Sequence, residues 1–260
     1  MVAGLNPIIE LEGVSKRYGD MLALDNVSLR IEKGEFVVIV GASGCGKSTT
    51  LNMIAGFDHP SEGLVKVEGR QVTEVSPNTG MVFQQYALFP WLSVLDNIAY
   101  GLKMKGMKKA ERRAIAQQFV DMVGLKGFEN AYPKQLSGGM KQRVTIARVL
   151  ANDPAVMLFD EPFAALDAMT RQVLQEELVR IYEQSGKTIV FITHSIDEAL
   201  MLSSRILIMS ARPGKIAQDI VNDLPHPRNA DVQLSEQYLA MKQKIWKTVQ
   251  GEVAKSLATR

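Results

Sequence analysis

Polar and apolar positions alternate along "IIELEGV" and "ALDNVSLRI", and a period of two predicts two strands. The turn "EKGE" (32–35) leads the second into "FVVIV", apolar without alternation and β-branched, the pattern of a strand buried on both faces. That run ends at Gly41, and "KSTTLNMIAGF" reads as a helix closed by Gly56. "LVKVEGRQV" predicts a hairpin turning at Glu68-Gly69, and "TGMVF" another strand. From about Val94 to Leu150 the strand signals stop. "KKAERRAIAQQFVDMVGL" carries Ile115, Phe119, Met122 and Val123 at helical spacing with Gly124 as C-cap, and a second helix follows Ser137. Alternation of strand and helix then resumes. "AVMLF", "TIVFIT" and "RILIM" are strands; "AMTRQVLQEELVRIYEQS", between Asp167 as N-cap and Gly186 as C-cap, and "DEALML" are helices. "ARPGK" turns, "LPHPRN" breaks the chain, and Tyr238, Met241, Ile245, Val249, Val253 and Leu257 mark a last helix. The expected organisation is an α/β core from 1–93 and 151–225, an inserted helical subdomain over 94–150 and a helical extension over 226–260.

Composition narrows the classes. Apolar residues at 46% and charged residues at 22% are ordinary for a water-soluble globular chain of 260 residues. A net charge of +2 gives no support to a general nucleic-acid surface. The single cysteine, Cys45, excludes an internal disulfide and a cysteine-rich metal site. The first twenty residues lack a basic start followed by an apolar run, so no secretory signal is expected. No apolar run approaches the ~20 residues that span a bilayer. Any membrane role is therefore expected to pass through a partner.

"GASGCGKS" (41–48) matches GxxxxGK[ST] and lies between a buried strand and a helix, the context that this motif requires. Gly41, Ser43, Gly44, Cys45 and Gly46 would turn backbone N–H groups onto phosphate oxygens, at the positive end of a helix beginning Lys47-Ser48-Thr49. Lys47 would reach the β- and γ-phosphates of ATP, and the Ser48 hydroxyl would ligate Mg²⁺. "VMLFDE" supplies Asp160 for the metal and then Glu161, placed to deprotonate an attacking water. "QLSGGMKQR" (135–143) is a second glycine-rich helix start, without a lysine in the loop. Ser137, Gly138 and Gly139 would present amides and a hydroxyl to an anion. The first cradle already holds one side of the nucleotide. The second is thus best used on the γ-phosphate of ATP held by another copy, in a two-fold, head-to-tail pair.

With these motifs in this order, the chain resembles the ATP-binding-cassette (ABC) ATPases over about residues 8–225. LSGG before a Walker B strand is the most specific mark. The resemblance implies a P-loop NTPase (RecA-like) α/β core with an N-terminal antiparallel β subdomain and an inserted α-helical subdomain. It implies that Tyr18, in "SKRYG", stacks on adenine, and that Gln84, in "MVFQQ", senses Mg²⁺ and the γ-phosphate and faces a membrane partner. Asp167, in "AALD", would cross to the other subunit, and His194, in "FITHS", would contact the γ-phosphate. Met140 departs from the family's usual glutamine. It follows the two glycines, so little effect on phosphate contact is expected.

Within that family, a lone cassette without a fused membrane domain or long coiled-coil insertion is similar to importer subunits. "PWLSVLDN", "DEPFAALD", "SARPGKI" and "LPHPR" are similar to the nitrate/sulfonate/taurine importers. The resemblance then implies a homodimer at the cytoplasmic face of the inner membrane, an integral-membrane permease, indirectly a periplasmic solute-binding protein, and no nucleic acid. The alternative is a soluble cassette acting in DNA repair or translation, which calls for a basic groove or a second cassette. Leu88, Phe89, Trp91 and Leu92 are either a staple within the helical lobe or a docking surface for the permease. The basic run "KMKGMKKAERR" (103–113) is either a solvated face or a lipid contact, and the last helix is read as a brace.

Overall fold

A computed structural model describes residues 7–225, 228 and 231–258. Part of the stretch read for a targeting signal (1–6), most of "PHPRN" and the side chain of Leu257 lie outside the described residues. In chain order the elements are β1 (Ile9–Tyr18), β2 (Met21–Ile31), β3 (Phe36–Gly41), α1 (Lys47–Ala55), β4 (Glu62–Val67), β5 (Arg70–Gln71) and β6 (Thr79–Val82). Helices α2 (Val94–Ile98), α3 (Tyr100–Met104), α4 (Lys109–Met122) and α5 (Gly138–Ala151) follow. The chain closes with β7 (Val156–Asp160), α6 (Ala168–Ser185), β8 (Thr188–Ile192), α7 (Ile196–Leu202), β9 (Arg205–Met209), β10 (Ile216–Val221) and α8 (Glu236–Ala258). Two compact units form, one from residues 1–76 with 185–260 and one from 77–184.

In the first unit β2-β1-β4-β5 make an antiparallel sheet. Ile9 faces Ile31 and Leu11 faces Leu29, so the apolar alternation of both strands falls on one buried side. Glu68 and Gly69 both take positive φ in the β4–β5 turn, the backbone that a two-residue hairpin needs. β3 runs parallel to β8 on one side and β9 on the other, with every residue from Phe36 to Val40 buried. Its unbroken apolar run follows from that double flanking. β10, a strand absent from the sequence reading, pairs antiparallel with β9.

In the second unit β6 and β7 pair in parallel. α4 packs against α2 and α5. Of the predicted line only Val123, at the helix end, is buried; α4 otherwise buries Ala116 and Val120, while Ile115, Phe119 and Met122 stay partly exposed. Along α8, Tyr238 and Ile245 are buried as expected, but the next buried position is Glu252, and Val253 faces solvent. No helix among the described residues is long and apolar enough to cross a membrane.

Candidate functional site

The first unit contains the loop that the sequence reading assigns as a phosphate cradle. Gly44 and Gly46 both adopt left-handed backbone, φ 74° and 99°, curling residues 41–46 back over the start of α1. A Cβ on Gly46 would come within 2.4 Å of Leu24, so glycine is required there by both conformation and space. α1 begins at Gly46 without a side-chain cap, which leaves its first amides as donors at the positive end of the helix. Lys47, 7% exposed, donates to the carbonyls of Gly41 (2.9 Å) and Ala42 (3.0 Å). Among the described residues of this unit no carboxylate pairs with it. A nearly buried ammonium donating to neutral carbonyls at an uncapped helix N-terminus is a setting that fits a polyphosphate. Cys45 contributes backbone alone: its thiol is buried and burial pushes its pKa up.

Tyr18, at the end of β1, donates to Asp58 Oδ2 (2.6 Å), and its hydroxyl also meets Thr49 in the first turn of α1. Lys16 bonds Asp58 and lies 5.0 Å from the Tyr18 ring centroid. Burial opposes ionisation of Asp58, but Lys16 and Tyr18 outweigh it and hold the carboxyl below its usual range. The Tyr18 side chain is thus tied through its hydroxyl to Asp58 and to the first turn of α1, and the residue as a whole is 45% exposed. His194 enters from β8. Ile192 is in register with Ile39 of β3, and Thr193 donates to the Ile39 carbonyl, so His194 leaves β8 where β3 leaves for the cradle.

The second unit carries the carboxylates and the other glycine turn. Val82 of β6 is in register with Phe159 of β7, so Gln84, Asp160 and Glu161 all leave the same edge of one parallel pair. Gln84 Nε2 lies 3.5 Å from Glu161 Oε2, a long contact. Asp160 is 7% exposed, and Glu161 sits at φ 47°, which turns its side chain away from the alternation of the strand. Among the described residues no group of three or more His, Cys, Asp or Glu could hold a metal unaided. This donor set fits Mg²⁺ arriving with a phosphate that completes its shell.

Ser137 caps α5 by accepting from the Met140 amide (3.3 Å). A Cβ on Gly138 would meet the Tyr86 hydroxyl at 2.7 Å. Asp167 caps α6 through Thr170 (2.9 Å); those Thr170 bonds, helped by Arg143, hold its carboxyl below the usual range. Residues that the sequence reading passed over tie the Gln84 loop to α5. Thr145 donates to the Tyr86 carbonyl (2.8 Å), Arg148 donates to the Ala87 carbonyl (2.9 Å), and Lys141 lies 5.9 Å from the Tyr86 ring. Desolvation lowers the pKa of Arg148, which also lies over Phe89. Phe89 packs on Tyr100 while Trp91 is 70% exposed, so the apolar loop is partly staple and partly open surface. In the basic run Lys105, Arg112 and Arg113 are engaged by Asn152, Met107 and Asp96.

Residues 24–164 match the family model described as ABC transporter. An uncharacterized ABC transporter ATP-binding protein of Methanocaldococcus jannaschii is 49% identical, over 98% of this chain and 93% of its own. The aliphatic sulfonates import ATP-binding protein SsuB of Bacillus cereus is 48% identical, over 89% of this chain and 90% of its own. A solved dimeric ATP-binding cassette, in a post-hydrolysis state bound to ADP and Pi, superposes with a TM-score of 0.75 at 38% identity, covering 82% of this chain and 98% of that one.

Proposed function

The chain belongs to the ABC transporter family as an ATP-binding, ATP-hydrolysing subunit, and from that premise we propose that it powers the import of a small anionic solute, a sulfonate or a close relative, through a separate permease. The single observation that carries the chemistry is Lys47, nearly buried at the uncapped start of α1 and donating to two neutral carbonyls. Lys47, Ser43, Ser48, Thr49 and the loop amides bind the ATP phosphates, and the Tyr18 ring takes the adenine. Ser48, Gln84 and Asp160 would hold Mg²⁺, which would supply positive charge to the phosphates. Glu161 takes the proton of the attacking water, Gln84 orients that water from its place beside Glu161, and His194 donates to the γ-phosphate. Ser137, Gly138 and Gly139 close on the γ-phosphate of a second copy, with Asp167 at the same junction. Dimeric solved relatives support that pairing. The exposed Trp91 belongs to the permease contact, which keeps the chain at the cytoplasmic face of the membrane.

Shared sites make a direct test. Lys47→Ala and Ser137→Arg homodimers are each expected to be nearly inactive, because both of their sites are damaged. In a mixed dimer one site carries both lesions and the other is intact. Mixing differently tagged variants in the presence of permease therefore restores ATPase activity. Mixed dimers recovered by both tags but no more active than either parent would mean either that both sites must fire together or that the pairing is wrong. Cysteines placed near Ser137 and near the phosphate loop, in a background lacking Cys45, that crosslink only within one chain would overturn the head-to-tail reading.

A further inference from the structure

The β9–β10 hairpin carries chemistry outside the machinery described so far. Met209, the last residue of β9, is in register with Gly41, so the hairpin tip begins where the phosphate loop begins. Ser210 closes the tip: its amide donates to the Lys215 carbonyl (2.8 Å) and its hydroxyl accepts from the Lys215 amide (2.9 Å). Gly214 is pinned to β2, donating to Ala23 (2.9 Å) and accepting from Asp25 (3.1 Å). Its backbone is pressed so closely to the phosphate loop that a Cβ would stand 2.0 Å from the Cys45 carbonyl oxygen. At the tip, Arg212 points its fork at the same loop. Nε and Nη2 each lie 3.3 Å from the carbonyl oxygen of Gly44, one of the two left-handed glycines, and Nη1 lies 3.1 Å from Met21 Sδ. Among the described residues of this unit no carboxylate pairs with Arg212.

The hairpin is held from behind by the C-terminal helix. Glu252 of α8 is 8% exposed, and its Oε2 accepts the amide of Ala211 (3.1 Å), the residue before Arg212. Its other oxygen accepts from Lys255 (2.6 Å). A carboxylate is seldom buried at this level without bonded partners, and here they are the Lys255 ammonium and a hairpin amide. This accounts for the departure of α8 from its predicted apolar line, since the buried position is taken by an anchor rather than by Val253.

We propose that Arg212 is a positioning residue of the nucleotide cradle and that Glu252, from the C-terminal helix, sets it in place. Two donors on one carbonyl fix the peptide that follows Gly44, where a glycine in left-handed backbone would otherwise be free to rotate. A guanidinium fixed against the Gly44 carbonyl also adds positive charge beside a loop proposed to take a polyanion. The inference rests on the reading of residues 41–48 as the phosphate cradle.

The test is Mg-ADP affinity of the full chain, measured by competition against a fluorescent nucleotide, with Lys47→Ala as control. Arg212→Ala is expected to weaken binding about tenfold, the scale of losing a hydrogen-bonded charge. Arg212→Lys keeps the charge without the fork and recovers part of that loss, which a purely structural contribution to folding would not predict. Glu252→Ala is expected to cost roughly threefold through the hairpin. The double variant Arg212→Ala/Glu252→Ala should bind no worse than Arg212→Ala alone, because both changes act on one path. Melting of the nucleotide-free variants checks that they are folded at the assay temperature, and Arg212→Gln serves if Arg212→Ala is not. Arg212→Ala (or Arg212→Gln in its place) binding within twofold of wild type overturns the proposal. So does a double variant whose loss is the product of the single losses, since Glu252 would then act elsewhere. Retention of affinity by Lys47→Ala would instead overturn the cradle reading itself.

Discussion

The two glycine-rich helix starts look alike in sequence and are built for different ends. At α1 both the cap residue and the residue two before it are glycines in left-handed backbone, with no side-chain cap, so the loop curls over the amides it leaves open. At α5 the cap is a serine whose own hydroxyl takes the Met140 amide, and neither Gly138 nor Gly139 has positive φ. Glycine is needed at 46 for its conformation and at 138 for its thinness beneath Tyr86. One start is a loop curled over uncapped amides, as the proposed phosphate cradle needs; the other is a capped, flat tip, as the proposed second cradle needs. A binding turn is therefore defined by backbone conformation and not by glycine content.

The strongest way to break that comparison is Gly46→Ala. A left-handed backbone alone costs about 1–3 kcal/mol for a residue with a Cβ, and displacement of the cradle is expected to lower ATPase activity by about a hundredfold. Leu24→Ala, which removes the contacting side chain, should not rescue it, because the strain lies in φ. Recovery of activity in the double variant would show that only space mattered. Gly138→Ala should behave in the opposite manner. Overpacking against Tyr86 costs about 1–3 kcal/mol, and Tyr86→Phe, which removes the contacting hydroxyl, should restore most of the lost activity. If Tyr86→Phe fails to help, Gly138 is required for something other than room. Ser137→Ala has the smallest effect on folding. Loss of the cap is worth about 1 kcal/mol, or roughly 2–4 °C in melting temperature for a chain this size. An unchanged melting curve would remove the hydroxyl from its capping role.

Much of the fold was legible because burial on both faces leaves a plain mark: "FVVIV", "AVMLF" and "TIVFIT" each became a fully buried strand. Periodicity failed where the packing partner, not the residue, decides the face. α4 buries Ala116, since a small side chain lets α2 and α5 approach, and a count of large apolar residues cannot register that. β10 was missed because only Ile220 in it is buried. The alternation of an edge strand is faint when one face is wet. At the site, adjacent residues such as Asp160 and Glu161 could be read together. Contacts across sequence, such as Thr145 to Tyr86 or Arg212 to Gly44, leave no local pattern at all.

The parallel flanking of β3 also sets an order of events during synthesis. Every pairing of the β2-β1-β4-β5 sheet is complete once residue 71 has left the ribosome, so this sheet can form early. β3, which ends in the phosphate loop, has its first partner only when β8 emerges about 150 residues later, and its second with β9. At roughly 5–20 residues per second, five consecutive apolar residues wait about 7–30 s without their strands. The loop proposed to hold the nucleotide, encoded near the beginning of the chain, is therefore among the last parts of the molecule to be assembled.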